Sequence, residues 1–114
     1  MPYIHVRTNQ MLSDDEENNL KTALGEAIAL LPGKTEDWLM VDLEGDARLW
    51  FRGDKERLLA MVEVDLLGKS DAASYEKLTK RICEILEAEL NVPADGVYVK
   101  YGEYTTWGYN GANF

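Results

Sequence analysis

A strand-helix-strand pattern occurs twice in this chain, and that duplication restricts its folds more than any other feature. In the first half, residues 3–8 alternate Ile4 and Val6 with His5 and Arg7, the period of a strand buried on one side. Ser13 with Glu16 three residues on has the spacing of a capping box, and Asp14 and Asp15 suit the positive end of a helix dipole. Leu20, Ala23, Leu24, Ala27, Ile28 and Leu31 share one helical face. Pro32-Gly33 ends that helix, and residues 38–44 read as the second strand. The second half repeats the plan. Residues 58–67 predict a largely apolar, buried central strand. Residues 70–90 predict a helix with Tyr75, Leu78, Ile82, Leu86 and Leu90 on its core face. Pro93-Ala94-Asp95-Gly96 breaks it, and residues 97–101 form the fourth strand.

Two βαβ units with right-handed crossovers give an α/β (α+β) fold, a four-stranded mixed sheet with both helices on one face. The 114 residues make one domain, 1–114. Nothing remains in so short a chain to cover the sheet's other face, so association through that face is expected. The tail, Trp107-Gly108-Tyr109-Asn110-Gly111, carries an Asn-Gly signal for a small hairpin. Residues 46–51 and 104–107 carry no readable pattern.

Charge and cysteine content narrow the partners. A formal net charge of −9 argues against nucleic acid or an anionic membrane. No apolar run is longer than that of residues 27–31, which is far too short to span a bilayer. No basic n-region and apolar h-region mark a signal peptide, and the single Cys83 suits a reducing cytoplasm. Asp14-Asp15-Glu16-Glu17 is a solvated helix start without metal-ligand spacing, so neither metal nor cofactor is expected. An anionic small substrate would have to be met by locally placed cations, against the overall field.

Chemistry is concentrated at the start of the chain. Methionine before proline is normally trimmed, which would leave Pro2 as a free secondary amine. An α-amine titrates at roughly 7.7–8.0, so burial or a neighbouring cation makes it a usable base at neutral pH.

Further residues recur in a telling order. Met1-Pro2-Tyr3-Ile4 is followed by Pro32-Gly33-Lys34 with Trp38, then by Leu66-Leu67-Gly68-Lys69. Pro93-Ala94-Asp95-Gly96-Val97-Tyr98-Val99 comes next, then Gly108-Tyr109-Asn110-Gly111 with Phe114. In these motifs and their spacing the chain resembles the macrophage migration inhibitory factor branch of the tautomerase superfamily. The resemblance implies a homotrimer whose sheets line a barrel-like centre, with active sites at subunit interfaces. It implies keto–enol tautomerase activity on phenylpyruvate-like 2-oxo acids, with Pro2 as catalytic base and Lys34 as the cation for the substrate carboxylate. By the same resemblance Leu67 is a backbone donor and apolar wall, Tyr98 comes from the neighbouring subunit, and Trp38, Trp107, Tyr109 and Phe114 line the pocket.

Some positions depart from the family pattern. Lys100 stands where the best-known animal members carry asparagine and shares a strand face with Tyr98, a second cation that would strengthen carboxylate binding, depress the amine pKa further or change which substrate fits. Trp107 is larger than the residue usual there, and Asp65 replaces a histidine. Leu59 and Val62 occupy the positions of the animal proteins' Cys-x-x-Cys, so no thiol-oxidoreductase role carries over. Two other functions fit the resemblance. One is a superfamily hydratase or decarboxylase using protonated Pro2 as an acid; those sites usually bring arginines, and Arg7, Arg48 and Arg52 match no such position. The other is a cytokine-like protein, exported without a signal peptide, that acts on a host receptor.

Overall fold

The computed structural model describes residues 1–114. In chain order the elements are β1 (Pro2–Thr8), α1 (Asp14–Ala27), β2 (Met40–Glu44), β3 (Ala60–Leu67), α2 (Ala72–Leu90), β4 (Val97–Tyr104), β5 (Gly108–Tyr109) and β6 (Ala112–Asn113). The main sheet has the order β2-β1-β3-β4. β1 runs parallel to β2 and β3 parallel to β4, while β1 and β3 meet antiparallel at the centre. This is the expected mixed sheet, two βαβ units joined along their first strands.

One face of the sheet makes the core. Ile4 and Val6 from β1 and Val62, Val64 and Leu66 from β3 pack against Leu20 and Leu24 of α1 and Leu78, Ile82 and Leu86 of α2. All of these are fully buried. Ile82→Ala is therefore expected to lower the unfolding free energy by about 2–5 kcal/mol, measured by urea denaturation. Glu84→Ala, on the exposed side of the same helix, should stay within about 0.5 kcal/mol of wild type.

Several boundaries differ from expectation, each for a local reason. α1 stops at Ala27 and tightens into a 3-10 turn, Ile28–Leu30, because Pro32 disfavours helical geometry in the residue before it. Leu31 nevertheless stays buried in the core. Glu36–Trp38 is another 3-10 turn, so β2 begins at Met40 and not at Trp38. β3 begins at Ala60. α2 begins after Asp71, whose carboxylate accepts hydrogen bonds from the Ser74 N–H and hydroxyl, both at 2.8 Å. β4 runs on to Tyr104, held in register by β3 as far as the Leu67–Tyr104 pair. In the tail, Asn110 and Gly111 both take positive φ (53° and 81°), as a two-residue hairpin turn requires.

The sheet's open face departs most from expectation. β3 is central, yet it alternates buried and half-buried residues. Across the open face run Asp42, His5, Glu63 and Lys100 in one row and Glu44, Arg7, Met61 and Tyr98 in the next. The Tyr3 hydroxyl donates to Asp42 at 2.6 Å, and Glu44 lies 3.3 Å from His5 and 3.4 Å from Arg7. So charged a surface suits a wet interior, not a dry contact.

Two phenols, Tyr3 on β1 and Tyr75 on α2, make the stability of this framework sensitive to alkali. Hydrogen bonding to Asp42 pushes Tyr3 up to about 12, and burial followed by the Glu103 hydrogen bond does the same for Tyr75. Between roughly pH 10, where an unfolded tyrosine titrates, and about 12, the folded chain holds protons that the unfolded chain has lost. Their contribution is complete below the unfolded value and falls away as pH rises through the folded one. The thermal midpoint should drop across that window, and Tyr3→Phe with Tyr75→Phe should flatten the drop.

Candidate active site

Three segments converge where β1 starts and β3 ends. Pro2 is buried and pairs with Leu66. The turn after α1, closed by a 3.0 Å bond from the Lys34 N–H to the Leu31 carbonyl, aims the Lys34 side chain at the end of β3. There its ammonium donates to the Leu67 carbonyl at 2.9 Å. Lys34 belongs to none of the side-chain ion pairs, so its charge is solvated by a carbonyl dipole and left without a counter-ion.

The Leu67 N–H donates in turn to the Met1 carbonyl at 3.1 Å, and the Gly68 N–H donates to the Tyr104 carbonyl at 2.8 Å. Both backbone groups of Leu67 thus face the start of the chain. Burial, and after it the Lys34 charge, hold the α-amine of Met1 below its usual value of 8.0. An amine on Pro2, one residue further into the fold, would meet the same two influences with greater burial.

Aromatic side chains gather at this end. Trp38 meets Tyr109 edge to face at 5.4 Å, and Tyr109 stacks on Phe114 at 6.3 Å. Trp107 meets Tyr104 edge to face at 6.0 Å. The Phe114 N–H donates to the Trp107 carbonyl at 2.9 Å, tying the end of the tail to its beginning. A cavity of about 310 Å³ opens between Asp65, Tyr104, Thr106, Trp107 and Gly108. Pro2, Lys34, Trp38, Leu67, Trp107, Tyr109 and Phe114 therefore lie at one end of the sheet.

Tyr98 and Lys100 do not. Tyr98 pairs with Met61 while Pro2 pairs with Leu66, so within one protomer they are separated by about 17 Å of strand. Lys100 pairs with Glu63 and is some 10 Å away by the same rise. Both side chains are exposed on β4, an edge strand, and so are available to another molecule.

Sequence reasoning left three contacts unseen: the Met1 carbonyl on the Leu67 N–H, Tyr104 against Trp107, and Phe51 against Tyr98 at 5.4 Å. The last two involve residues 46–51 and 104–107, where the sequence carried no pattern to find them by. Of the arginines, Arg7 engages Glu44 and Arg52 lies over the Phe51 ring. No three His, Cys, Asp or Glu side chains come together as a metal site, and no helix is long and apolar enough to cross a membrane.

A duplicated βαβ sheet with a buried proline opening its first strand, beside an unneutralised lysine, defines a protein of the tautomerase superfamily. A family model described as macrophage migration inhibitory factor matches residues 1–114. Macrophage migration inhibitory factor of Xenopus laevis is 29% identical, with 100% of this chain and 99% of that protein covered. The crystal structure of Leishmania major MIF2 superposes with a TM-score of 0.93 at 29% identity, covering 100% of this chain and 97% of that one. A homologue from Prochlorococcus marinus superposes at 0.83 with 26% identity and 98% of each chain covered. The chain belongs to the macrophage migration inhibitory factor family.

Proposed function

We propose that this protein is a keto–enol tautomerase for phenylpyruvate-like 2-oxo acids, working through a Pro2 amine freed by loss of Met1. The observation that carries the reading is the meeting of Pro2, the unneutralised Lys34 ammonium and the Leu67 backbone at one place. Neutral Pro2 takes the proton from the carbon next to the ketone, the C–H electron pair becomes the enol double bond, the carbonyl π pair moves onto the oxygen, and the protonated Pro2 returns its proton to that oxygen and is neutral again. Ketonisation is the reverse. Lys34 pairs with the substrate carboxylate. Removing Met1 also removes the carbonyl that occupies the Leu67 N–H, so that donor becomes free for a substrate oxygen at the same spot. The Trp38, Trp107, Tyr109 and Phe114 rings provide walls for a phenyl group.

The assembly is a homotrimer in this reading. Tyr98 sits at the opposite end of its own sheet from Pro2 and Lys100 at mid-strand on the same edge, so in this reading they serve the Pro2 of a neighbouring copy. A contact between two different ends of the molecule is heterologous, and it closes as a ring. Tyr98 then hydrogen-bonds the enolic oxygen, and Lys100 adds a second cation for the carboxylate. The site favours a base over an acid, because burial and the Lys34 charge, which lower the pKa of the Met1 amine, act in the same direction on a Pro2 amine freed beside them.

The test is the ketonisation rate of enol phenylpyruvate on protein whose mass shows loss of Met1, with native mass spectrometry of the same sample. Turnover by a species of three-chain mass is expected. No turnover in the Met1-free protein would overturn the reading.

A further inference from the structure

Tyr98 is poorly held by its own strand. It is 63% exposed, and beside it lies an apolar cavity of about 160 Å³, lined among others by Leu49, Phe51, Met61 and Val97. An aromatic ring on an edge strand beside a void has more than one place to go. The ring that touches it is Phe51, edge to face at 5.4 Å with an interplanar angle of 88°, the favoured geometry for two π systems.

Phe51 is itself unusually well fixed for a residue in a long connection. It opens a tight turn in which its N–H and carbonyl are bonded to the carbonyl and N–H of Asp54, at 2.9 and 3.0 Å. Arg52 and Gly53 between them both take positive φ (53° and 75°), the backbone of a two-residue hairpin. The Arg52 guanidinium lies 5.3 Å from the Phe51 ring centroid. The base of the connection is clamped as well. The Ala47 N–H donates to the Thr8 carbonyl at 2.9 Å, the Asn9 side chain donates to the Arg57 carbonyl at 2.7 Å and accepts from the Leu59 N–H at 3.0 Å, and Arg57 pairs with Asp95.

We infer that Phe51 is a positioning residue: its ring, set by the Phe51–Asp54 turn, holds the Tyr98 phenol in the orientation presented to the neighbouring copy's Pro2. The inference rests on the tautomerase reading above and adds to it a residue with no substrate contact of its own. Without that ring Tyr98 turns into the apolar cavity, and its hydroxyl is withdrawn from the enolic oxygen.

A double-mutant cycle tests this on the Met1-free protein. Phe51→Leu keeps an apolar side chain and removes the ring. It should leave the native mass and thermal midpoint unchanged while kcat/KM for enol phenylpyruvate falls about two- to tenfold. Phe51→Tyr, which keeps the ring, should run at the wild-type rate. In a Tyr98→Phe background Phe51→Leu should have no further effect, because the hydroxyl it orients is gone. Equal losses in both backgrounds, or a wild-type rate for Phe51→Leu, would overturn the inference and leave the tautomerase reading standing. No turnover in wild type overturns both. Nuclear Overhauser contacts between the two rings in the wild-type protein give a measurement that needs no variant: one Tyr98 rotamer is expected, and a mixture of rotamers is the overturning result.

Discussion

Protein that retains Met1 should turn over enol phenylpyruvate at least about 10²- to 10⁴-fold more slowly than protein lacking it, the range that a positioned acid–base group contributes. Three effects act together. With Met1 attached, the Pro2 nitrogen is an amide whose lone pair is delocalised into the peptide bond, so it accepts no proton. The Met1 carbonyl occupies the Leu67 N–H at 3.1 Å, taking the donor that a substrate oxygen would use. An extra residue ahead of Pro2, near enough to Lys34 for that charge to lower its amine's pKa, also adds bulk beside the cation proposed for the substrate carboxylate. Restoring only a basic nitrogen does not undo the second and third effects. An exogenous amine added to the Met1-retaining protein should therefore rescue little. The assay is single-substrate ketonisation on two mass-verified preparations. Equal rates would remove Pro2 from the chemistry.

The fold was legible wherever neighbours in sequence are also neighbours in space. The alternation at Ile4 and Val6 and the capping box at Ser13 and Glu16 are local signals, and both elements form with the expected faces. β4 ran further than its pattern because Gly102 and Glu103 break the alternation, while register with Asp65 and Leu66 of β3 keeps that stretch extended. Residues 46–51 gave no signal because what shapes the connection they belong to is distant. Thr8 and Asn9 hold Leu59 and Arg57 across some 50 positions of sequence. Pro2, Lys34 and Leu67 were nameable from short motifs, and the geometry brings them together. The hydrogen bond of the Met1 carbonyl to the Leu67 N–H, and the span that separates Tyr98 from Pro2, come from how the strands pair and could not be read from any motif. The character of the open face was not legible for a related reason. Topology shows that a sheet face lacks a cover, but whether it wants a dry or a wet partner depends on which side chains line up across four strands, here Asp42, His5, Glu63 and Lys100.

Lys34→Met should lower kcat/KM by about 10- to 100-fold, since hydrogen bonds to charged groups are worth roughly 1.5–3 kcal/mol. It should also move the pH profile, and the direction is fixed by the site's electrostatics. Lys34 lowers the pKa of the Met1 amine, second to burial, and acts in the same sense on a freed Pro2 amine beside it. A neutral methionine leaves the burial and removes the charge, so the amine pKa rises. A base works in its deprotonated form, so the ascending limb of kcat/KM must shift to higher pH. The shift should be partial, because burial, the larger influence, remains. An acid would behave in the opposite way. If protonated Pro2 were the working form, the descending limb would move up in pH and activity near neutrality would be less sensitive to the substitution. One variant measured across pH thus separates carboxylate binding from amine tuning. Lost binding scales KM at every pH, whereas lost tuning displaces the limb, and a Lys34 that did neither would be only a tether for the Leu67 carbonyl.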